Sequence, residues 1–288
     1  MLLRGNHGLF KNGKSAGTVL TLDLVSATSS VAYSLRRVRS AYSGNCIRVR
    51  RSSDNTEQNI GFSGNELDTT SLLSFCGAGS GFITTWYDQS GNNRNAVQTS
   101  ASVQPRIVNA GVLETKNSKP SIRFQAGTIQ LEAYKFAAPS TAFTANFIAS
   151  VDNNTGDNQN IIGIDGGGFQ VNGLYFENDT SCRVILNRSG GFHLIAQANA
   201  SASNTLYTFS LTHTAGNFAQ MSQNGTFGSS TSVNWTAGNR ASFVFGGYPS
   251  IGLIGYVSEH IAFSTNLSNT DLSLLNANQG QYYNITVI

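Results

Sequence analysis

Four residues combine side-chain types that suit carbohydrate recognition: Tyr175, Glu177, Trp235 and Tyr248. The aromatic rings could stack on the apolar face of a sugar, and the Glu177 carboxylate could accept hydrogen bonds from hydroxyl groups. Asparagine and glutamine, which also bind hydroxyl groups, are plentiful along the chain. These residues are predicted to form a carbohydrate-binding surface. The alternative is that the aromatic residues belong to the core.

Neither the cysteines nor the histidines have the spacing of a metal or redox centre. Cys46, Cys76 and Cys182 are odd in number and match no zinc motif, and the four histidines show no ligand spacing. An acidic loop over residues 152–165 offers oxygen ligands of the kind calcium prefers, but in no defined motif. The prediction is therefore no cofactor, no metal and no disulfide framework, with calcium as the alternative.

Arginines are concentrated between residues 36 and 51. The last part of this segment alternates strictly, so Arg48 and Arg50 are predicted to share one face of a strand. The favoured interpretation is a solvated face paired with Asp54 and Glu57. A contact site for phosphate or carboxylate groups is the alternative.

A polar loop follows a stretch rich in β-branched and aromatic residues at 81–87. Its residues Asp88, Gln89, Ser90 and Gly91 have turn chemistry, because short polar side chains bond their own backbone and glycine adopts left-handed geometry. A structural role for these four residues is the prediction, and a ligand contact by Asp88 or Gln89 is the alternative.

The elements that must position these residues are predicted to be strands. Only 11% of the residues are charged, and 30 glycines accompany abundant Ser, Thr and Asn, which favours an all-β sandwich. Strands are predicted at 18–25, 58–62, 81–87 and 104–108, and then at nine places between residues 121 and 263. A hairpin turn is predicted at Asn224-Gly225. Short helices are predicted at 67–75, with Asp68 or Thr69 as N-cap, and at 267–275.

Charge and hydropathy argue against two classes of partner. A net charge of only +3 gives little attraction for nucleic acid, and no apolar run is long enough to cross a membrane. The first residues lack the pattern of a signal peptide, which predicts synthesis in a host cytoplasm.

Four motifs together resemble the catalytic domain of B-type α-L-arabinofuranosidases: AYSLR at 32–36, IRVRRSSD at 47–54, FC at 75–76 and YDQSGN at 87–92. The resemblance implies a concanavalin-like jelly-roll β-sandwich. The segments at 255–259 and 281–283 are similar to the closing part of laminin-G-like and concanavalin-like domains. The YDQSGN type of domain also resembles modules of bacteriophage virion proteins.

The same resemblance implies two catalytic positions. The family's acid is an Asp directly after a Gly-Gly pair, where this chain has Tyr248, and a phenol is a poor proton donor near neutral pH. The family's nucleophile is a Glu, which corresponds to Glu177 in one placement and to Arg188 in another. On these grounds the chain is predicted to have no catalytic residues and not to be an enzyme.

The predicted function is a non-enzymatic bacteriophage virion structural protein whose lectin-like domain attaches to a host-surface glycan. Residues 1–25 are predicted to be an arm that docks on other virion proteins or on a second copy of the chain, and residues 26–288 the jelly-roll domain. The predicted location is the virion surface. The alternative is a secreted retaining arabinofuranosidase-like glycoside hydrolase.

Overall fold

The computed structural model describes residues 19–125, 131–136, 142–152, 159–164, 172–176, 182–188, 191–198, 204–213, 218–228, 230–232, 241–245 and 252–288. Strands dominate these ranges. The first twelve strands are β1 (Val31–Ser34), β2 (Ile47–Arg51), β3 (Glu57–Ile60), β4 (Phe62–Ser63), β5 (Glu66–Leu67), β6 (Gly81–Trp86), β7 (Ala96–Val97), β8 (Arg106–Asn109), β9 (Val112–Leu113), β10 (Thr115–Lys116), β11 (Lys119–Pro120) and β12 (Ile122–Phe124).

The second half of the chain continues in the same way. Its strands are β13 (Leu131–Phe136), β14 (Phe143–Val151), β15 (Gln159–Ile164), β16 (Asn172–Phe176), β17 (Cys182–Arg188), β18 (Gly191–Ala198), β19 (Tyr207–His213), β20 (Phe218–Gln223), β21 (Thr226–Phe227), β22 (Thr231–Ser232), β23 (Ala241–Phe245) and β24 (Gly255–Phe263). The helices described are α1 (Thr69–Cys76), α2 (Asn269–Tyr283) and two short 3-10 turns, Thr21–Asp23 and Ala101–Val103.

Twenty of these strands form one hydrogen-bonded network with two branches. One branch runs β1–β24–β14–β19–β20. The other runs β3–β2–β6, continues through β7 to β13, and then follows β23–β15–β16–β17–β18. Strand β8 joins the branches, because it pairs with β6 of the second branch and with β12, which itself pairs with β24 of the first. The predicted all-β, jelly-roll-like sandwich is confirmed.

The main core fills the space between the branches. Its largest fully buried side chains include Trp86 and Tyr33 from the first third of the chain and Phe245 from β23. Strand β14 is buried along its whole length, because its side chains face opposite ways in turn and both faces of the strand are covered. Phe147 enters the main core, whereas Ile148 packs beneath helix α2.

Both helices begin at polar caps. Asp68 caps α1 by accepting a hydrogen bond from the Ser71 amide at 3.0 Å, as predicted, and Ser268 caps α2 through the Asp271 amide at 3.1 Å. Helix α2 extends eight residues beyond the predicted end at 275. Its second half contains Asn276, Asn278 and Gly280, and Asn and Gly are weak helix formers. Packing of buried side chains such as Gln279 stabilises this part instead.

The predicted strand at 18–25 is wrong over the residues described. The Leu22 amide donates to the Val38 carbonyl at 2.8 Å, and the Thr21 hydroxyl donates to Asn278 of α2 at 2.8 Å. These contacts hold the segment in a 3-10 turn against the helix. Alternation of apolar residues indicated a strand, but it could not reveal this competing partner. Residues 1–18 of the predicted arm lie outside the described residues.

A buried ion pair lies between the sheet and α2. The guanidinium of Arg36, at the end of β1, is 3.0 Å from the carboxylate of Glu259 on β24, and both side chains are almost fully buried. Ser34, Gln279 and Tyr283 also donate to that carboxylate, at 2.7, 2.9 and 3.2 Å. Burial alone would lower the pKa of Arg36, but Glu259 and the nearby tyrosines outweigh burial and raise it.

A β-bulge explains why Glu259 points toward the helix. Ile148 of β14 pairs with Glu259, but the next residue, Ala149, pairs with Val257, so Ser258 is an extra residue in β24. The extra residue reverses the alternation of side chains. Val257 consequently faces the main core, whereas Glu259 faces α2.

Substitution of Glu259 by Gln should destabilise the fold strongly, because it leaves the Arg36 charge buried without its counter-ion. The expected loss in the free energy of unfolding is about 3–5 kcal/mol, measured by urea unfolding. Glu57→Gln, which removes the partly exposed partner of Arg48, is the matched control and should change it little. Similar effects for the two variants would contradict the importance of the buried pair.

His260 on β24 is held neutral inside the main core. Its ring stacks on Phe147 with centroids 4.3 Å apart, and Nδ1 lies 3.0 Å from the Asn146 carbonyl, to which it can donate. Burial lowers the pKa of His260 to about 3. The unfolded chain would bind a proton at this histidine near pH 6.5.

The free energy of unfolding should therefore fall as pH drops below about 6.5, since the unfolded state then binds a proton that the folded state excludes. The contribution from His260 approaches about 1.4 kcal/mol per pH unit. Urea unfolding between pH 7.5 and 4 should show a shallower decline in His260→Asn, which retains a donor near the Nδ1 position. An equal decline in both proteins would exclude His260 as the cause.

Candidate functional site

The loop after β6 is organised by the carboxylate of Asp88, which is 3% exposed. One oxygen accepts from the amides of Ala32 and Ser90 at 2.8 and 2.9 Å. The other accepts from the Ser90 hydroxyl at 2.7 Å and the Arg94 amide at 3.0 Å. Four donors occupy the accepting capacity of the carboxylate. The structure thus places Asp88 as the tie between β1 and the loop.

The Gln89 side chain forms hydrogen bonds with the backbone where β1 ends. Its amide nitrogen donates to the carbonyls of Ser34 and Arg36, both at 2.9 Å, and its side-chain oxygen accepts from the Val38 amide at 2.9 Å. The side chain is fully buried. It satisfies backbone groups that leave the sheet at this point, so no polar atom of Gln89 faces solvent.

The next two residues complete the turn. The Arg39 guanidinium donates to the Ser90 carbonyl. Gly91 has a φ of +93°, a conformation that favours glycine. Asn92 donates to the carbonyls of Ser29 and Ser30 at 3.1 and 3.0 Å. The contacts of Asp88, Gln89 and Ser90 described here therefore stabilise the loop, strand β1 and the backbone on both sides of β1.

An aromatic cluster connects this loop to the strand β23. The Tyr33 hydroxyl donates to the Arg94 carbonyl in the loop. The Tyr33 ring contacts Phe245, the last residue of β23, edge-on at 5.8 Å between centroids. The ring of Trp86 lies 5.7 Å from that of Phe245. The loop and the end of β23 consequently contact the same aromatic cluster of the core.

The C-terminal ends of β16 and β23 lie at the same edge of the sheet, meaning the edge that is formed by strand ends and not by an outer strand. Strand β15 is antiparallel to both, so β16 and β23 run in the same direction. The chain leaves them at Phe176 and Phe245. Glu177 directly follows the first end, and Tyr248 follows the second by three residues; both lie outside the described residues, as does Trp235.

Two other predicted positions fall on described strands. Tyr175 lies in β16, opposite Asn160 and Arg183. Arg188, the alternative to Glu177, ends β17 and pairs with Gly191. Because β17 is antiparallel to β16, Arg188 lies at the opposite sheet edge from the ends of β16 and β23.

Two of the arginines between residues 36 and 51 have the predicted pairing. Arg48 contacts Glu57 at 2.6 Å, and Arg51 contacts Asp54 at 2.7 Å. Arg50 donates to uncharged side chains, at 2.7 Å to each. Arg36 does not belong to the predicted arginine face, because it is buried against Glu259. The one signal that could have revealed that pair is the lone carboxylate within the predicted strand that became β24.

Two of the cysteines, and one acidic residue of the predicted calcium loop, have described surroundings. The thiols of Cys46 and Cys76 are buried and unpaired, and burial raises the pKa of both. Among the described residues no cluster of three or more His, Cys, Asp or Glu side chains could hold a metal. Asp152 contacts Arg123, whereas most of the proposed calcium loop lies outside the described ranges. None of the described helices has the length and apolarity of a membrane span.

Substitution of Asp88 by Asn should destabilise the loop, since the new amide group would face the Ser90 hydroxyl and the Arg94 amide, which both donate. The expected loss in the free energy of unfolding is about 2–4 kcal/mol, measured by urea unfolding. Asp54→Asn, on the exposed arginine face, is the matched control and should have little effect. A small loss for Asp88→Asn would show that the four bonds are dispensable.

Comparison with known proteins gives the following matches. Residues 25–167 match the family model for the catalytic domain of α-L-arabinofuranosidase B. A search of curated protein sequences found no significant match. The matched segment contains the loop, the arginine face and the strands β1 to β15.

Solved structures show the same fold at low identity. A mutant α-L-arabinofuranosidase soaked with 4-nitrophenyl α-L-arabinofuranoside is 16% identical, with a TM-score of 0.64 over 87% of this chain and 62% of that chain. An arabinofuranosidase complexed with arabinofuranosyl-α-1,2-xylobiose is 16% identical, with a TM-score of 0.61 over 90% and 63%. A Trypanosoma rangeli sialidase is 14% identical, with a TM-score of 0.51 over 69% and 31%. This chain spans less than two thirds of each.

These matches overturn the prediction of a non-enzymatic bacteriophage virion protein for host attachment. That prediction was wrong because it gave decisive weight to Tyr248 and to the undecided choice between Glu177 and Arg188. Single side chains are weak evidence when the alignment around them is unsettled. The family match, in contrast, covers a continuous segment. Over residues 25–167, this chain resembles the catalytic domain of α-L-arabinofuranosidase B, as its motifs predicted.

Proposed function

We propose that this chain is the catalytic part of a retaining α-L-arabinofuranosidase. The observation that carries the proposal is the family match over residues 25–167. The likeness in fold to arabinofuranosidases studied with arabinofuranosides supports it. The proposed substrate class is a polysaccharide or oligosaccharide that bears arabinofuranosyl side groups.

A retaining hydrolase works in two displacements. In the first, a carboxylate attacks the anomeric carbon, the glycosidic bond breaks, and the leaving oxygen takes a proton. In the second, water attacks the glycosyl ester and passes a proton to the group that donated one in the first step. The sugar then leaves with its original configuration, and the carboxylate is regenerated. The chain must therefore supply one nucleophilic carboxylate and one proton donor near the leaving oxygen.

Glu177 is the proposed nucleophile. It directly follows β16 in sequence. Strand β16 ends at the same sheet edge as β23, the strand that precedes the Gly-Gly pair. Arg188 ends its strand at the opposite edge and has no carboxylate. Sheet direction therefore favours Glu177 of the two placements.

Tyr248 follows the Gly-Gly pair, where the resemblance places the proton donor. A phenol with an ordinary pKa near about 10 donates a proton poorly at neutral pH. Cleavage should then depend strongly on the leaving group. Aryl arabinofuranosides, whose phenolate leaves with little protonation, should react much faster than alkyl arabinofuranosides.

The test is hydrolysis of 4-nitrophenyl α-L-arabinofuranoside, followed by release of nitrophenolate. Glu177→Gln should lower kcat by a factor on the order of 10³ or more, because the attacking carboxylate is removed. Glu57→Gln, at the exposed arginine face, is the control and should retain activity. In Glu177→Ala, azide should restore turnover and give the glycosyl azide of inverted configuration.

Two results would contradict the proposal. One is the absence of arabinose release by the folded wild-type chain from aryl arabinofuranosides. The other is release that Glu177→Gln leaves unchanged, which would place the nucleophile elsewhere. Folding of each variant would be checked by its unfolding curve.

A further inference from the structure

A cavity of about 420 Å³ lies outside helix α2, on the side of the sheet opposite the main core. Helix α2 forms one wall, the β20–β21 hairpin a second, and the segment that follows α2 a third. Apolar side chains in the lining include Phe227, Ile285 and Val287, and polar ones are Ser273, Asn276 and Gln281. A volume of this size falls within the usual range for small-molecule sites.

Backbone contacts hold the walls of this cavity in place. The Ile285 amide donates to the Gly280 carbonyl at 2.9 Å, and the Ile288 amide donates to the Asn224 carbonyl at 3.0 Å. A Cβ at Gly280 would lie 2.6 Å from Val287, so only glycine permits this approach of the final segment to α2. The cavity is therefore a built feature of the fold.

A chain of amides sets which group of Asn276 faces the cavity. The Glu259 carboxylate can only accept, so it fixes the Gln279 amide nitrogen toward itself at 2.9 Å. The same nitrogen donates to the Asn146 oxygen, and the Asn146 nitrogen then donates to the Asn276 oxygen at 3.3 Å. Thr208 and Ser210 donate to that same oxygen, at 3.1 and 3.3 Å.

The result is an amide donor that faces the cavity without an acceptor among the described residues. The Asn276 side chain lines the cavity, and the residue is 1% exposed. Its amide nitrogen donates to none of the described residues. The nitrogen is therefore available to donate to a ligand oxygen in the cavity.

The lining also limits the chemistry of that ligand. The cavity has no charged side chain in its lining, which disfavours anions and cations. An aromatic ring and aliphatic groups lie beside a hydroxyl and two amides. Sugars combine apolar C–H faces with neutral hydroxyl groups and match this pattern.

We propose that the α2 cavity is a second, non-catalytic site for a neutral sugar unit, with the Asn276 amide donating to a sugar oxygen. The site lies apart from the sheet edge that carries the proposed catalytic residues. Its argument does not depend on hydrolysis. Such a site would hold a neighbouring part of a polysaccharide while the chain binds or cleaves elsewhere.

The test is ligand-observed NMR and calorimetric titration of the full chain with L-arabinose, D-xylose and xylotriose. Wild-type protein should show saturable binding of at least one of these sugars. Ala277→Trp, at an exposed position in the lining, should fill the cavity and lower affinity by about tenfold or more. Leu274→Trp, exposed on α2 but outside the lining, is the matched control and should bind normally.

A second variant tests the donor itself. Asn276→Asp keeps an oxygen for Asn146, Thr208 and Ser210 but replaces the cavity-facing donor by an acceptor, so sugar affinity should again fall about tenfold or more. Absence of binding to all three sugars, or binding that both Ala277→Trp and Asn276→Asp leave unchanged, would overturn the proposal. Hydrolysis of 4-nitrophenyl α-L-arabinofuranoside, measured in parallel, should be unaffected by these variants. A failure here is thereby distinguished from a failure of the proposed catalytic function.

Discussion

The buried carboxylate of Glu259 is the constraint on which the outer side of the sheet depends. A carboxylate in a protein interior is tolerated only when donors and a counter-ion surround it. Arg36 brings the end of β1 to the carboxylate, and Gln279 and Tyr283 bring helix α2. Polar contacts thus attach the C-terminal helix to strands from the beginning and the end of the domain.

The loop after β6 solves a related problem on the other side of β1. Strand β1 is short, and the backbone beyond Ser34 has polar groups that no neighbouring strand pairs. Gln89 supplies both an acceptor and two donors to this backbone, and Asp88 supplies acceptors to β1 and to the loop itself. Tyr33 then connects the loop to the end of β23. This polar motif therefore has a structural role. Through Tyr33 it supports the end of β23, at the sheet edge that leads to the proposed catalytic residues.

Local patterns predicted much of the fold because local forces decide much of it. The cap at Asp68, the hairpin at Asn224-Gly225 and most long strands follow from turn chemistry and alternation. Long-range partners decided the rest. Residues near Thr21 form a 3-10 turn because α2 contacts them, and Glu259 faces α2 because one extra residue in β24 reverses its alternation. A bulge of this kind leaves no reliable trace in a single sequence.

Function was harder to predict than fold for a physical reason. The YDQSGN motif, which carries part of the resemblance, serves backbone hydrogen bonding, so it bears on the fold and not on the chemistry. The residues proposed for the chemistry follow the strands β16 and β23 in sequence, and individual side chains of this kind set function on a shared fold. The identity of Tyr248 therefore bears on the proton donor and not on the scaffold. Strand direction is the stronger guide to the nucleophile, since it places Glu177 and the Gly-Gly stretch after strands that end at one edge and Arg188 at the other.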